Sequence, residues 1–275
     1  MISENGWFDD NLKDRSHDHT LDYKITINPH KFTPLPFHEA AKQTALKIAW
    51  KYDNLYVGLS GGLDSEYVAV CLHQLKIPFK CIIGVCKGNE IESAYAFKIC
   101  KKLNIEPIVL KYSNIELMKM YMHLVSSING IGRFALLSLY SAKYVSEQKG
   151  TFISGQHILS DDDDSPILYY DANEYDGYGH TLYPNSNEIG FFTYTPELTY
   201  SMINGITIEN YEVTSDIYKS TLYNLEPRKK THCTYTPELS NILGDISATR
   251  KHYPNIKHLF GNKQETELIF KDYIL

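Results

Sequence analysis

Between residues 54 and 154 the chain alternates short apolar runs with amphipathic segments, and few architectures accept that order. "NLYVGLS" (54–60) predicts a strand, and "SEYVAVCLHQLK" (65–76) predicts a helix with Val68, Cys71, Leu72 and Leu75 on one face. "FKCIIGVC" (79–86) is a second strand, and "IESAYAFKICKKLN" (91–104) is a helix that aligns Ala96, Ile99, Cys100 and Leu103. "PIVLKY" (107–112) is a third strand, after which Ser113 and Glu116 form a capping-box pattern ahead of "IELMKMYMHLVSSI". A helix over 132–148 and a strand over 151–154 complete the series. This order predicts an α/β fold, an open and mostly parallel sheet with helices on both faces. In such sheets ligands sit at the carboxyl ends of the strands. Ser60 and Ser154 fall on that edge.

The flanks are less regular. Residues 1–20 are polar and acidic and read as a solvated arm. "DYKITINP" (22–29) reads as a short strand ended by Pro29, and 36–52 as a helix with Ala40, Ala41, Ala45, Ile48 and Ala49 on its apolar face. Residues 161–190 are Tyr-rich and turn-rich, the pattern of a long loop or irregular lid. Residues 191–275 read as mainly helical. The expected organisation is an α/β domain over 1–185, with a short N-terminal arm, and a mainly helical extension over 186–275. "TYTPEL" occurs at 193–198 and again at 234–239. Its local reading is a helix start, with Thr195 and Thr236 as N-caps, Pro196 and Pro237 at the first helical position and Glu197 and Glu238 near the positive helix end. The other reading is a duplicated element that shapes a pocket.

The chemistry concentrates in "SGGLDS", Ser60 to Ser65, between the first strand of the series and its helix. Gly61 and Gly62 let the backbone turn sharply and approach a ligand closely. Their N–H groups converge with the open amides of the helix's first turn, which makes an anion nest at the positive end of a helix dipole. The hydroxyls of Ser60 and Ser65 add donors, and the expected guest is a phosphate or pyrophosphate. A Walker A loop needs a lysine after its second glycine, and a dinucleotide fingerprint reads G-x-G-x-x-G, so the stretch is neither. Asp64 would repel a polyphosphate unless Mg²⁺ lay between them, which makes it a candidate magnesium ligand. The plain alternative is a glycine turn with Asp64 or Ser65 as an N-cap.

"SGGLDS" after a buried strand resembles the pyrophosphate loop of the N-type ATP pyrophosphatases, the PP-loop superfamily. This superfamily includes asparagine synthetase, NAD synthetase, GMP synthetase, argininosuccinate synthetase and the queuosine-pathway nitrile synthase. Leu63 resembles asparagine synthetase and the nitrile synthase more than the "SGGKDS" branch. The resemblance covers 54–160 in pattern and is specific over the six-residue loop. It implies an adenine nucleotide alpha hydrolase-like fold and a reaction in which ATP is cleaved between its α and β phosphates. A carboxylate or carbonyl oxygen is adenylated, pyrophosphate leaves into the loop, and ammonia or an amine displaces AMP. By the same resemblance Ser60, Gly61, Gly62, Leu63, Asp64 and Ser65 bind pyrophosphate, and ATP and Mg²⁺ are the cofactors.

Other positions follow from the resemblance alone. Adenine would lie against the end of the second strand of the series, at Gly84, Val85 and Cys86. "ISGQHILSDDDD" (153–164) resembles the "SGEGADE"-type loop of asparagine synthetase. There Gly155 would allow close approach, Gln156 or His157 would contact substrate, and one of Asp161 to Asp164 would hold a second magnesium, with Asp161 and Asp162 favoured. A solvated acidic run is the equal alternative. Arg133, at a Gly-Arg helix start, would clamp phosphate or stand on the surface. Arg228, Lys229 and Lys230 sit in an expected loop and would close over phosphates or simply be solvated.

Composition narrows the rest. A formal net charge of −6 disfavours a broad nucleic-acid footprint, and with it a tRNA-modifying member of the superfamily. The five cysteines contain no C-x-x-C pair, and Cys71, Cys81, Cys86 and Cys100 lie in apolar-periodic segments, so buried free thiols are expected. His17 and His19 form only an isolated H-x-H. No run reaches the roughly 20 apolar residues of a membrane span, and the start lacks a secretory pattern, so a cytoplasmic protein with a small-molecule substrate is expected. Asparagine synthetases that use glutamine carry a cysteine right after Met1. Here Ile2 follows, so ammonia is expected from outside the chain, with a separate ammonia-supplying subunit as the candidate partner. A nucleotide-binding module without catalysis is the reading from another functional class.

Overall fold

The structure is a computed structural model that describes residues 3–10, 25–28, 30–127, 136–155, 159–162, 165–170, 183, 187–205, 215–228, 236, 238, 239, 241, 270, 271 and 274. Two short strands, β1 (Phe8–Asp10) and β2 (Ile25–Ile27), pair antiparallel, and helix α1 (Phe37–Lys51) follows. The alternation then runs β3 (Leu55–Gly58), α2 (Leu63–Gln74), β4 (Lys80–Cys86), α3 (Glu90–Leu103), β5 (Ile108–Tyr112), α4 (Asn114–Ser127), α5 (Leu136–Glu147) and β6 (Thr151–Ser154). A hairpin of β7 (Leu159–Asp162) and β8 (Ser165–Tyr170) comes next. β9 (Asn187–Gly190), α6 (Pro196–Asn204) and α7 (Ser215–Tyr223) follow it.

Five strands form one parallel sheet in the order β5-β4-β3-β6-β9. The chain moves outward from β3 through β4 to β5, then returns to the other side of β3 with β6. The topological switch point therefore lies between β3 and β6, the place where open α/β sheets bind ligands. Alternation along each strand divides the core between the two faces. Leu55, Val57, Cys81, Ile83 and Ile153 join the large cluster with α1, α2 and α3, whereas Tyr56, Ile82 and Phe152 pack with Ala142 and Val145 of α5. Helices thus cover both faces, as the sequence pattern requires.

The capping box forms as expected: Glu116 accepts from the Ser113 N–H at 2.7 Å, and the Ser113 hydroxyl oxygen accepts from the Glu116 N–H at 3.2 Å. Replacing Ser113 with alanine should cost about 1 kcal/mol in chemical denaturation. An unchanged midpoint would show that the box contributes nothing to α4.

Two expectations need correction. The N-terminal stretch is not simply a solvated arm, because Trp7 and Phe8 are buried at 2% and 1% exposure. The Trp7 indole donates to the carbonyls of Thr193 and Tyr194, both at 3.1 Å, and its ring lies against Phe270. Two aromatic residues among polar and acidic neighbours carry no local periodicity, and their burial comes from partners remote in the chain. Nor is 161–190 irregular throughout: part of it forms β8, and Asn187 to Gly190 make β9, paired in register with β6. Four residues with a single strongly apolar side chain are too short to register as a strand until β6 supplies the partner. The first "TYTPEL" takes its local role, Thr195 accepting from the Leu198 N–H with Pro196 at the first helical position. In the second copy Thr236 accepts from the Leu239 N–H at 3.4 Å.

Candidate phosphate-binding site

The loop lies at the carboxyl end of β3, beside the switch point. Gly61 adopts φ +86°, a left-handed conformation open to glycine. A Cβ built there would stand 2.1 Å from the Glu92 carbonyl oxygen in α3, so both conformation and space demand glycine. Gly62 has ordinary dihedrals (φ −79°, ψ 163°), and a Cβ there would meet only the Ser60 hydroxyl, at 3.4 Å. Its open side is where a ligand could approach.

Ser65 is buried and closes the loop. Its hydroxyl donates to the Gly62 carbonyl at 3.1 Å and accepts from the Ser60 N–H at 3.3 Å. The two serine hydroxyls are 3.3 Å apart, and the Gly62 N–H reaches Ser60 Oγ at 3.3 Å. These contacts are long, so a phosphate oxygen can replace them at small cost. The first intrahelical bond of α2 runs from the Glu66 N–H to the Gly62 carbonyl, which leaves the preceding amides without intrahelical acceptors. Leu63 turns its side chain into the core and offers the site only its backbone.

The end of β6 also lies here. Gly155 follows β6, and a Cβ on it would stand 2.6 Å from the Ser65 nitrogen and 2.8 Å from the Asp64 carbonyl carbon. Glycine at 155 therefore lets β6 lie directly against the first turn of α2. The sequence pointed to this position for close approach to a ligand, and the structure shows close approach to the loop itself.

Asp64 is held on both oxygens. Lys219 of α7 donates to Oδ2 at 3.0 Å, and the Tyr223 hydroxyl donates to Oδ1 at 2.6 Å. Tyr223 stacks on Tyr67 with centroids 4.6 Å apart, and also on Phe192 and Phe37. Burial, together with the Asp64 charge, raises the Tyr223 phenol well above its usual range and keeps it a donor. Neither residue was anticipated. The available signal was Lys219 set among Tyr218, Leu222 and Tyr223, a lysine on an otherwise apolar helix face.

At the end of β4, the Asn89 side chain donates to the Gly84 carbonyl at 2.9 Å and accepts from the Cys86 N–H at 3.0 Å. Two of the backbone groups expected to meet adenine are thus engaged, with Val85 between them. Arg228 is not simply solvated. It pairs with Glu66 of α2, and its guanidinium lies 5.3 Å from the centre of the Tyr95 ring. It ties the end of the α7 segment onto α2 and α3, at the residue that follows Ser65. Cys71, Cys81, Cys86 and Cys100 are buried free thiols. Burial pushes Cys71 up to about 12 and, with Glu90 and Glu92, Cys86 to about 11, so neither is a ready nucleophile.

Arg133, Gln156, His157, Asp163, Asp164, Lys229, Lys230, Cys233 and the His17–His19 pair lie outside the described residues. For Asp161 and Asp162 the backbone alone is described, in β7, a strand that packs against α7. Among the described residues no cluster of three or more His, Cys, Asp or Glu could hold a metal. None of the described helices is long and apolar enough to cross a membrane.

No protein-family model matches the chain, and no curated protein matches it in sequence. Solved structures give distant superpositions. An NH3-dependent NAD synthetase from Campylobacter jejuni, in complex with nitrate, aligns at 16% identity and TM-score 0.36 over 81% of this chain and 99% of its own. An NMN synthetase from Francisella tularensis aligns at 13% identity and TM-score 0.36, over 80% and 99%. A glutamine-dependent NAD+ synthetase from Acinetobacter baumannii, in complex with ADP, aligns at 12% identity and TM-score 0.35, over 49% of this chain and 28% of its own. Likeness at this level assigns no activity, and the case for the site rests on its geometry.

Proposed function

We propose that the chain binds ATP with its β and γ phosphates in the Ser60–Ser65 loop, adenylates a small carboxylate or carbonyl substrate and releases pyrophosphate. Ammonia or an amine then displaces AMP, which gives an amide-type product. The observation that carries this reading is the loop's position: a left-handed Gly61 at the switch point of a parallel sheet, continuing directly into the first turn of α2. Amides fixed before the reaction stabilise the charge that develops on departing pyrophosphate without reorganising. In this reading Ser60 and Ser65 donate to the phosphates, and Gly155, packed against the first turn of α2, allows a ligand to come close at the end of β6. Gly84 and Val85 flank the adenine, Arg133 clamps phosphate, and Asp161 and Asp162 lie on the substrate side. The setting would be the cytoplasm.

Incubation with ATP, Mg²⁺ and a panel of carboxylates and amines should release pyrophosphate and AMP in equal amounts. Ser60→Ala should lower kcat/KM by about tenfold, the effect of one lost hydrogen bond to a charged group. Pyrophosphate release that is unchanged by Ser60→Ala would remove the loop from the reaction. The second reading is a nucleotide-binding module without turnover. It is favoured by Asp64, whose two oxygens are already taken by protein donors. ATP binding without pyrophosphate release across the panel would select it.

A further inference from the structure

We infer that the cation of this loop is Lys219 itself, and that Asp64 and Tyr223 are the residues that position it. The expected magnesium ligand does not fit the arrangement observed. Asp64 has one oxygen on an ammonium at 3.0 Å and the other on a phenol at 2.6 Å. Its side chain is 17% exposed and that of Lys219 is 7% exposed, so the pair meets largely away from solvent. Magnesium requires near-octahedral oxygen coordination at short distance. Bound to the same carboxylate, it would sit close to the Lys219 ammonium, and like charges at such separations in a partly dry site repel strongly.

The pair is built from one helix. Lys219 and Tyr223 are four residues apart on α7, so they project from the same face onto a single carboxylate. Tyr223 is fixed in turn by its stack with Tyr67, Phe192 and Phe37, and Tyr218 anchors α7 by donating to the Met202 carbonyl at 2.7 Å. Lys219 thereby stands at the first turn of α2 with little conformational freedom. It also removes the objection that Asp64 raised in the sequence. The carboxylate does not confront the phosphate as a bare charge, because the ammonium neutralises it. The functional half of this inference rests on the phosphate reading of the loop. The structural half, that Lys219 and not a divalent cation occupies Asp64, does not.

Two measurements separate these halves. The first titrates Mn²⁺ into nucleotide-free wild type and follows the free-ion signal by electron paramagnetic resonance. Wild type should show no site that depends on Asp64, whereas Lys219→Met should gain one, and Asp64→Asn should abolish the gain. Mn²⁺ binding to wild type that disappears in Asp64→Asn overturns the inference. This comparison needs no lysine variant, so it decides the matter even if Lys219→Met fails to fold. The second measures binding of inorganic pyrophosphate in EDTA by calorimetry. Lys219→Met should weaken it by about tenfold or more, the loss of a charge-assisted contact, and Lys219→Arg should restore part of it. Equal affinity in folded Lys219→Met and wild type overturns the role of Lys219 at the loop. Absence of pyrophosphate and ATP binding by wild type overturns the phosphate reading itself, and the Mn²⁺ titration still decides what holds Asp64.

Discussion

Gly61→Ala should abolish nucleotide binding and destabilise the fold by about 2–4 kcal/mol, the range for a strained backbone combined with a steric conflict. Two independent causes act at this position. At φ +86° an L side chain is strained, and the new methyl group would lie 2.1 Å from the Glu92 carbonyl oxygen. Glu92 is in the first turn of α3, a backbone atom that cannot turn aside as a flexible side chain would. Relief requires the loop to move away from α3, which carries the Ser60–Ser65 nest off the end of β3. Thermal denaturation should therefore show a fall of about 10 °C for a chain of this size. Gly62→Ala is the contrasting variant. Its φ of −79° suits any residue and its Cβ meets only Ser60 Oγ at 3.4 Å, so stability should change by less than about 1 kcal/mol. Its methyl group would still face the open side of the loop and weaken ATP binding. Equal stability of the two variants would contradict the tight approach of the loop to α3.

Trp7→Ala should cost about 3–5 kcal/mol in chemical denaturation, the range for a large aromatic removed from a packed core. The indole is 2% exposed and packs against Phe8 and Phe270. Its N–H also serves the carbonyls of Thr193 and Tyr194, which precede α6. Trp7→Phe should retain much of the packing and lose the donor, at a cost of about 1–2 kcal/mol. Nucleotide affinity of the folded fraction should be unaffected, because Trp7 is remote in contact from the loop. A cost below about 1 kcal/mol for the alanine variant would mean that the N-terminal segment is not part of the core.

How far the sequence was legible depended on how local the information was. The strands and helices from 54 to 154 could be read because each carries its own periodicity, and the Ser113–Glu116 box because capping is a contact between near neighbours. β9 could not be read in this way, since its identity as a strand comes from pairing with β6. Trp7 was hidden for a similar reason: its partners Thr193, Tyr194 and Phe270 lie far away in the chain. At the site, "SGGLDS" marked the loop, whereas the packing of Gly155 against the first turn of α2 needed the tertiary structure. The Arg228–Glu66 pair joins residues far apart in the chain and has no local signal.

By itself the sequence determined the kind of fold and marked Ser60–Ser65 as the candidate loop, because glycine freedom, helix periodicity and strand burial act over a few residues. The tertiary structure alone decided the charge balance of that place. Asp64 and Lys219 are 155 residues apart, and only the packing of α7 against α2 brings them within 3.0 Å. A carboxylate in a loop proposed to hold phosphate needs a positive partner, which the chain's order of residues requires without naming. Whether that partner is an ion from solvent or an ammonium of the chain depends on which side chains fill the remaining space, and long-range packing sets that.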